Sequence, residues 1–287
     1  METFRRSLCF GLSGGVEVGI AFLLLLGAAV FAGSEQDVRA RRHLKFWNER
    51  EGVSAEDARG GVDPNIIELA KMDQISLYKK AIKHYDETIR DYTGKLMKHE
   101  RVNGELRKKQ VVRFKFKEDP FSVYMEWVKN AGSADKVLYV EGENDGNMVV
   151  HPTTLFGLIK SVERAPDCKE AMEENRYPVT MFGFRRMMAN SLAMYEMADE
   201  KGELETVFLG ITDVDGRKCL AIEGRLPDKK RYDRARVVVQ LDVERLVPLN
   251  VISFNWDGEL LGRYKFSDLK FNTGLSEAEF EAENNGL

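Results

Sequence analysis

Side chains able to ligate a metal, relay a proton or attack a carbonyl are sparse and scattered in this sequence. Its only histidines are His43, His84, His99 and His151, and none forms an HxH, HExxH or other close pair. A zinc site needs three or four converging ligands, so no metal is expected. Beyond the N-terminal segment no serine or cysteine sits in a GxSxG turn or a related nucleophile motif. No catalytic residue is therefore assigned, and an enzyme is not expected. Glycines fall mostly in turns, and Gly11 to Gly15 belong to the N-terminal segment. With no GxxxxGK[ST] and no strand-linked GxGxxG, no nucleotide or other cofactor is expected. Cys168 and Cys219 are too far apart for a CxxC motif, and in an oxidising compartment a disulfide between them stays open.

Two other patterns carry potential for binding. Arg113, Lys115 and Lys117, with Lys108 and Lys109 nearby, put a basic stripe on one strand face. It suits transient contact with anionic headgroups, or simply the solvated side of an amphipathic strand. The opposite faces are greasy. Phe114, Phe116, Val123, Met125 and Trp127 share one side by alternation, and Phe254, Trp256, Tyr264 and Phe266 supply a second patch beside Ile252. Those nine candidates line a pocket if helices cover the sheet incompletely, and form ordinary core if the helices close over it.

The elements that must hold these faces can be read from local signals. Asp63-Pro64 pairs an N-cap acceptor with proline at the first helical position. Tyr78, Ile82, Tyr85, Ile89 and Tyr92 then recur at helical spacing, which predicts a long amphipathic helix in one or two pieces. From Gly94 the pattern turns to strands. Asn103-Gly104 marks a hairpin, Asp119-Pro120 a turn, and further strands are expected near 136–141 and 147–151. Leu155 to Val162 reads as a short strand or helical turn. Thr180 is expected to open a second helix carrying Phe184, Met187, Met188 and Tyr195. A second meander follows, with turns at Asp215-Gly216 and Asp257-Gly258. Strands joined by tight turns pair antiparallel, and no βαβ alternation is present. The fold class is therefore α+β, an antiparallel sheet covered by helices.

At the N-terminus Arg5 and Arg6 precede an uncharged stretch from Val18 to Gly33, ending in Val30-Phe31-Ala32. A positive start, a short apolar middle and small residues before the cut describe a secretory signal peptide over residues 1–32. An uncleaved membrane anchor is the alternative. Residues 33–62 read as a charged linker or lead-in, and 63–287 as one domain. With 43 basic and 47 acidic residues the net charge is −4, which offers no general drive toward nucleic acid.

Ordered segments of the chain resemble the exported bacterial family called domain of unknown function 1571. They are Tyr92-Thr93-Gly94-Lys95-Leu96, Glu100-Arg101-Val102-Asn103-Gly104, Asp119-Pro120-Phe121-Ser122-Val123-Tyr124, Tyr139-Val140-Glu141-Gly142 and Arg176-Tyr177-Pro178-Val179. The run Tyr264-Lys265-Phe266-Ser267-Asp268-Leu269-Lys270-Phe271-Asn272 continues the likeness, with Gly274-Leu275 and Phe280. That last run, and the hairpin before Pro120-Phe121, are similar more distantly to the LolA/LolB and RseB-like group. The resemblance implies a curved, incomplete β-barrel holding helices over an apolar cavity. It also implies a periplasmic binder or carrier of a lipid, a lipoprotein acyl chain or another apolar ligand. The alternative is a non-enzymatic envelope domain that binds a protein partner or senses stress.

Overall fold

The computed structural model describes residues 61–153 and 160–287. The expected leader, most of the lead-in and most of the 155–162 segment lie outside the described residues. Asp63 accepts a hydrogen bond from the Asn65 N–H and starts α1 (Pro64–Met72). The helix breaks at Asp73, whose carboxylate accepts from Ser76 N–H and caps α2 (Gln74–Thr88). The N-terminal helix is thus in two pieces, each with an acidic cap at its first turn.

Twelve strands make one sheet among the described residues. The first meander is β1 (Asp91–Val102), β2 (Glu105–Leu106), β3 (Gln110–Lys117), β4 (Ser122–Lys129), β5 (Ala134–Val140), β6 (Met148–Pro152) and β7 (Val162–Arg164). The second is β8 (Glu205–Val214), β9 (Arg217–Arg225), β10 (Arg236–Asp242), β11 (Pro248–Phe254) and β12 (Leu260–Phe271). All pairings are antiparallel, in the order β7-β6-β5-β4-β3-β1-β12-β11-β10-β9-β8, with β2 on β1. The two meanders are joined along β1 and β12, and the outermost strands β7 and β8 do not pair. The sheet is therefore curved and open, as the family resemblance implies.

Topology then dictates the cover. The chain leaves the sheet at edge strand β7 and re-enters at the opposite edge, β8, so residues between them must cross a face. They do so through α3 (Lys169–Glu174) and α4 (Phe184–Asp199). The sequence pattern starts this helix at Thr180, whereas α4 begins at Phe184, after a single 3-10 turn over Val179–Met181. Gly183 explains the delay. It holds φ +110°, and a Cβ there would come within 2.9 Å of the Phe116 ring, so backbone and sheet meet closely where the helix begins. α3 interrupts a stretch whose sequence reads as irregular.

Tyr92 also departs from expectation. Its spacing continues the helical stripe of Tyr78 and Tyr85, but it belongs to β1, opposite Phe116 and Phe271. The helix has already ended, because Asp91 is held by Thr273 and Gly274 N–H groups at 2.6 and 3.1 Å and draws the chain into the sheet. Tyr92 then nucleates an aromatic cluster, with ring centroids 4.7 Å from Phe116, 4.8 Å from Phe184 and 5.8 Å from Phe114. This plug closes one end of the space between sheet and α4.

On the other face, the C-terminal segment folds back so that Phe280 and Leu287 cover Tyr124, Leu138, Val140 and Val149. The basic stripe is on that side too. Arg113 pairs with Glu126 at 3.3 Å and Lys115 with Glu279 at 2.6 Å.

Candidate functional site

The inward-facing residues form tiers, read directly from the strand register. The deepest tier, around Tyr92, Phe116 and Val123, is filled. One step along the strands, Leu96 lies opposite Val112 and Phe266, and Met125 lies opposite Val137. A further step brings Lys98 opposite Gln110 and Tyr264, and Trp127, opposite Val112 in the tier below, reaches up to Gln110. Over these outer tiers the cover thins. α1 lies against β8 and β9 of the second meander and α2 against α4, and Tyr195 of α4 sits so close over Gly224 on β9 that a Cβ there would be 2.0 Å from its hydroxyl. Over the first meander the cover is α3, which has no buried residue, the segments flanking it, and the first turns of α4, whose Met187 and Asn190 face the space. A partly enclosed cavity of about 410 Å³ remains, within the usual range for a small-molecule site.

Its body is apolar: Leu96, Val112, Met125, Val137, Val150 and Phe266 line it from the sheet, and Phe182 and Met187 from the cover. Polar latches hold that cover. Both Glu174 carboxylate oxygens accept the Ser133 N–H at 3.0 Å. Arg107 donates to the Glu173 carbonyl at 3.3 Å, and Arg176 to the Arg101 carbonyl at 3.3 Å.

The rim tier is polar. Lys98 Nζ lies 3.1 Å from Glu100 Oε2, donates also to Asn175 Oδ1, and sits 5.8 Å from the Trp127 ring centroid. Trp127 Nε1 donates to Gln110 Oε1 at 3.1 Å. The Tyr264 hydroxyl donates to Glu100 Oε1 at 2.6 Å. Burial, and then the Glu100 charge, hold the Tyr264 phenol well above its ordinary range. Burial alone would lower the pKa of Arg234. Its hydrogen bonds to Asp233, with Tyr177 and Tyr264 nearby, outweigh that and hold the guanidinium above its usual value.

Of the nine candidates from the sequence, Met125, Trp127, Tyr264 and Phe266 border this cavity. Phe114, Phe116 and Val123 share the same sheet face but belong to the filled core toward the aromatic plug. Phe254 lies at the end of β11 beneath Arg236, 4.2 Å from guanidinium to ring centroid. From β11 it is Val251 and Ser253 that line the cavity, one residue out of step with the assumed face. Trp256 lies beyond β11, 37% exposed, with Nε1 donating to the Leu226 carbonyl at 3.3 Å. Sequence reasoning passed over Lys98, Glu100, Tyr177 and Arg234. For the first two a signal existed: counting by twos from Leu96 along β1 puts both charges on the apolar face.

Other candidates lie apart from the cavity. His151 Nδ1 is 2.6 Å from Asp135, and among the described residues no histidine lines the cavity. Among the described residues no group of three or more metal-ligating side chains converges, and no helix is long and apolar enough to cross a membrane. Cys168 and Cys219 are not joined by a disulfide. Cys168 precedes α3 at the cavity and Cys219 is buried in β9.

This fold and cavity define an open-sheet α+β protein with an amphipathic hollow. The chain belongs to the family described as "Protein of unknown function (DUF1571)", which matches residues 89–286. No curated protein matches the sequence. Among solved structures it is similar to the Pseudomonas aeruginosa MucA/MucB complex, at 16% identity and TM-score 0.42, covering 73% of this chain and 61% of that one. It is similar to Mycobacterium tuberculosis lipoprotein LppX at 10% identity and TM-score 0.41, over 72% of this chain and 99% of that one. A LolA superfamily protein from Nitrosomonas europaea aligns at 8% identity and TM-score 0.34, over 71% and 97%. The chain spans less than two thirds of MucB's length. Superpositions this partial carry no inference about ligand or partner.

Proposed function

We propose that this is an exported, non-catalytic binding or carrier protein for a lipid, an acyl chain or another apolar ligand held in the cavity beneath α3. The observation that carries the reading is the apolar hollow of about 410 Å³ left between the first meander and its thin cover. Each methylene buried there contributes about 0.8 kcal/mol. A chain of about ten carbons would then gain roughly 8 kcal/mol before losses of freedom on binding. Met125, Trp127, Tyr264 and Phe266 are the proposed ligand contacts from the sequence set. The cover is held by a few polar latches, so entry and exit need only α3 and its flanks to lift. Export is proposed from the N-terminal pattern of Arg5, Arg6 and the uncharged 18–33 stretch.

Mass spectrometry of the protein purified from its native envelope tests the reading. A stoichiometric apolar compound, lost when the cavity is filled by substitution, is expected. Protein that carries no such compound, and that fails to take up any fatty chain in solution, would sink it.

A further inference from the structure

A hydrocarbon chain has no use for charge, yet the rim of the cavity carries two buried cations. Lys98 and Arg234 are each 8% exposed, and one continuous network joins them. Lys98 and the Tyr264 hydroxyl both donate to Glu100. The Tyr264 ring lies 6.3 Å from that of Tyr177, whose hydroxyl accepts from Arg234 Nη2 at 3.2 Å. Arg234 forks onto Asp233 at 2.7 and 2.9 Å, and Arg176 approaches the same carboxylate at 4.0 Å.

The signs do not cancel. Among the described residues, Lys98 and Arg234 of the lining share the single carboxylate of Glu100 there, while Arg176 and Asp233, outside the lining, offset one another. The remaining charged residues of the lining, Arg164, Arg186, Glu170 and Glu174, balance one another. Two donors are also unspent. Arg176 Nε is buried without a hydrogen-bond partner, and the Tyr177 hydroxyl, accepting from Arg234, keeps its own proton to give. An excess cation in a water-poor wall is costly until an anion joins it.

We infer that the cavity takes an amphiphile with one hydrocarbon chain and one anionic head group, a carboxylate or phosphate monoester. The chain occupies the apolar tier, and the head group lies among Lys98, Tyr177 and Arg234. This rests on the chain-binding reading of the same cavity. The size agrees with a single chain: 410 Å³ is about fourteen times the roughly 30 Å³ that a water occupies in the liquid, room for about a dozen carbons.

Titration of the full chain with dodecanoate, dodecyl phosphate, dodecanol and dodecyltrimethylammonium varies the head at constant chain length. Both anions are expected to bind at least about tenfold tighter than dodecanol, with the ammonium weakest. The tighter of the two anions identifies the head-group source. Tyr177→Phe and Arg234→Gln should each shrink the ratio of dodecanoate to dodecanol affinity. Because Arg234→Gln can impair folding, the series on the unaltered protein decides. Dodecanol binding as tightly as dodecanoate overturns the anionic head group and leaves chain binding intact. No binding by any of the four overturns both.

Discussion

Replacing Val150 with phenylalanine should make the protein more stable and a poorer binder at once. Val150 lies on β6 between Val137 and Val162 and lines the cavity. An empty, dry hollow of 410 Å³ would cost about 10 kcal/mol at roughly 24 cal/mol per Å³. That rivals the whole stability of a typical domain, about 5–15 kcal/mol. Solvent at the rim lowers the real cost, but the sign stands: filling the space is favourable. Val150→Phe adds about 50 Å³ of side chain, hence up to about 1 kcal/mol of stability. For a chain of this size that is a rise of roughly 2–4 °C in Tm. The same ring displaces about two methylenes of ligand, weakening binding by about 1.6 kcal/mol, or roughly fifteenfold. Calorimetric melting and dodecanoate titration read the two effects on one sample. Destabilisation by more than about 1 kcal/mol would mean the space is already occupied by protein. Unchanged affinity would mean that no ligand uses it. Either result refutes the reasoning.

Glu174→Ala removes the carboxylate that accepts the Ser133 N–H. Stopped-flow release of a bound fluorescent fatty acid should accelerate several-fold, with stability changed by less than about 1 kcal/mol because the latch is solvent-exposed. Tyr195→Phe deletes a fully buried hydroxyl that has no hydrogen-bond partner. Urea unfolding should show a change from neutral to about 1 kcal/mol stabilising, and a loss above that would reveal a partner in solution. Arg231, Lys229 and Tyr232 hold the Glu203 carboxyl down to about 2 from an ordinary 4.5. Its folded-state pKa is depressed, so its contribution is full above about pH 4.5 and fades as pH falls toward about 2. Melting curves of Glu203→Gln against the parent should converge across that acid window and differ above it.

The turns and helix starts were legible because their signals are local. Asn103 and Gly104 adopt φ 52° and 81°, and Asp215 and Gly216 φ 52° and 82°, positive values that asparagine, aspartate and glycine tolerate best. Alternation placed Phe114, Phe116, Val123, Met125 and Trp127 on one face, which the β3–β4 register bears out. The second patch was harder. One residue of phase separates Phe254 from Ser253, and no local cue sets that phase at a strand that ends in a bulge. The break at Asp73 and the start of α4 at Gly183 were only half visible. The Asp73 cap is local, but the close approach of Gly183 to Phe116 depends on a strand far away in the chain.

By itself, then, the sequence determined an α+β chain of two antiparallel meanders with greasy inner faces and a capped N-terminal helix. Those properties follow from side-chain period and turn chemistry over a few residues. Only the tertiary structure decided that β1 would pair with β12, that the crossover from β7 to β8 would lie over the inner face, and that it would cover the two meanders unequally. Glu100 and Tyr264, 164 positions apart, meet at 2.6 Å on the cavity rim, and nothing in either segment specifies the other. A cavity is what packing leaves over, so it exists only once every element is in place.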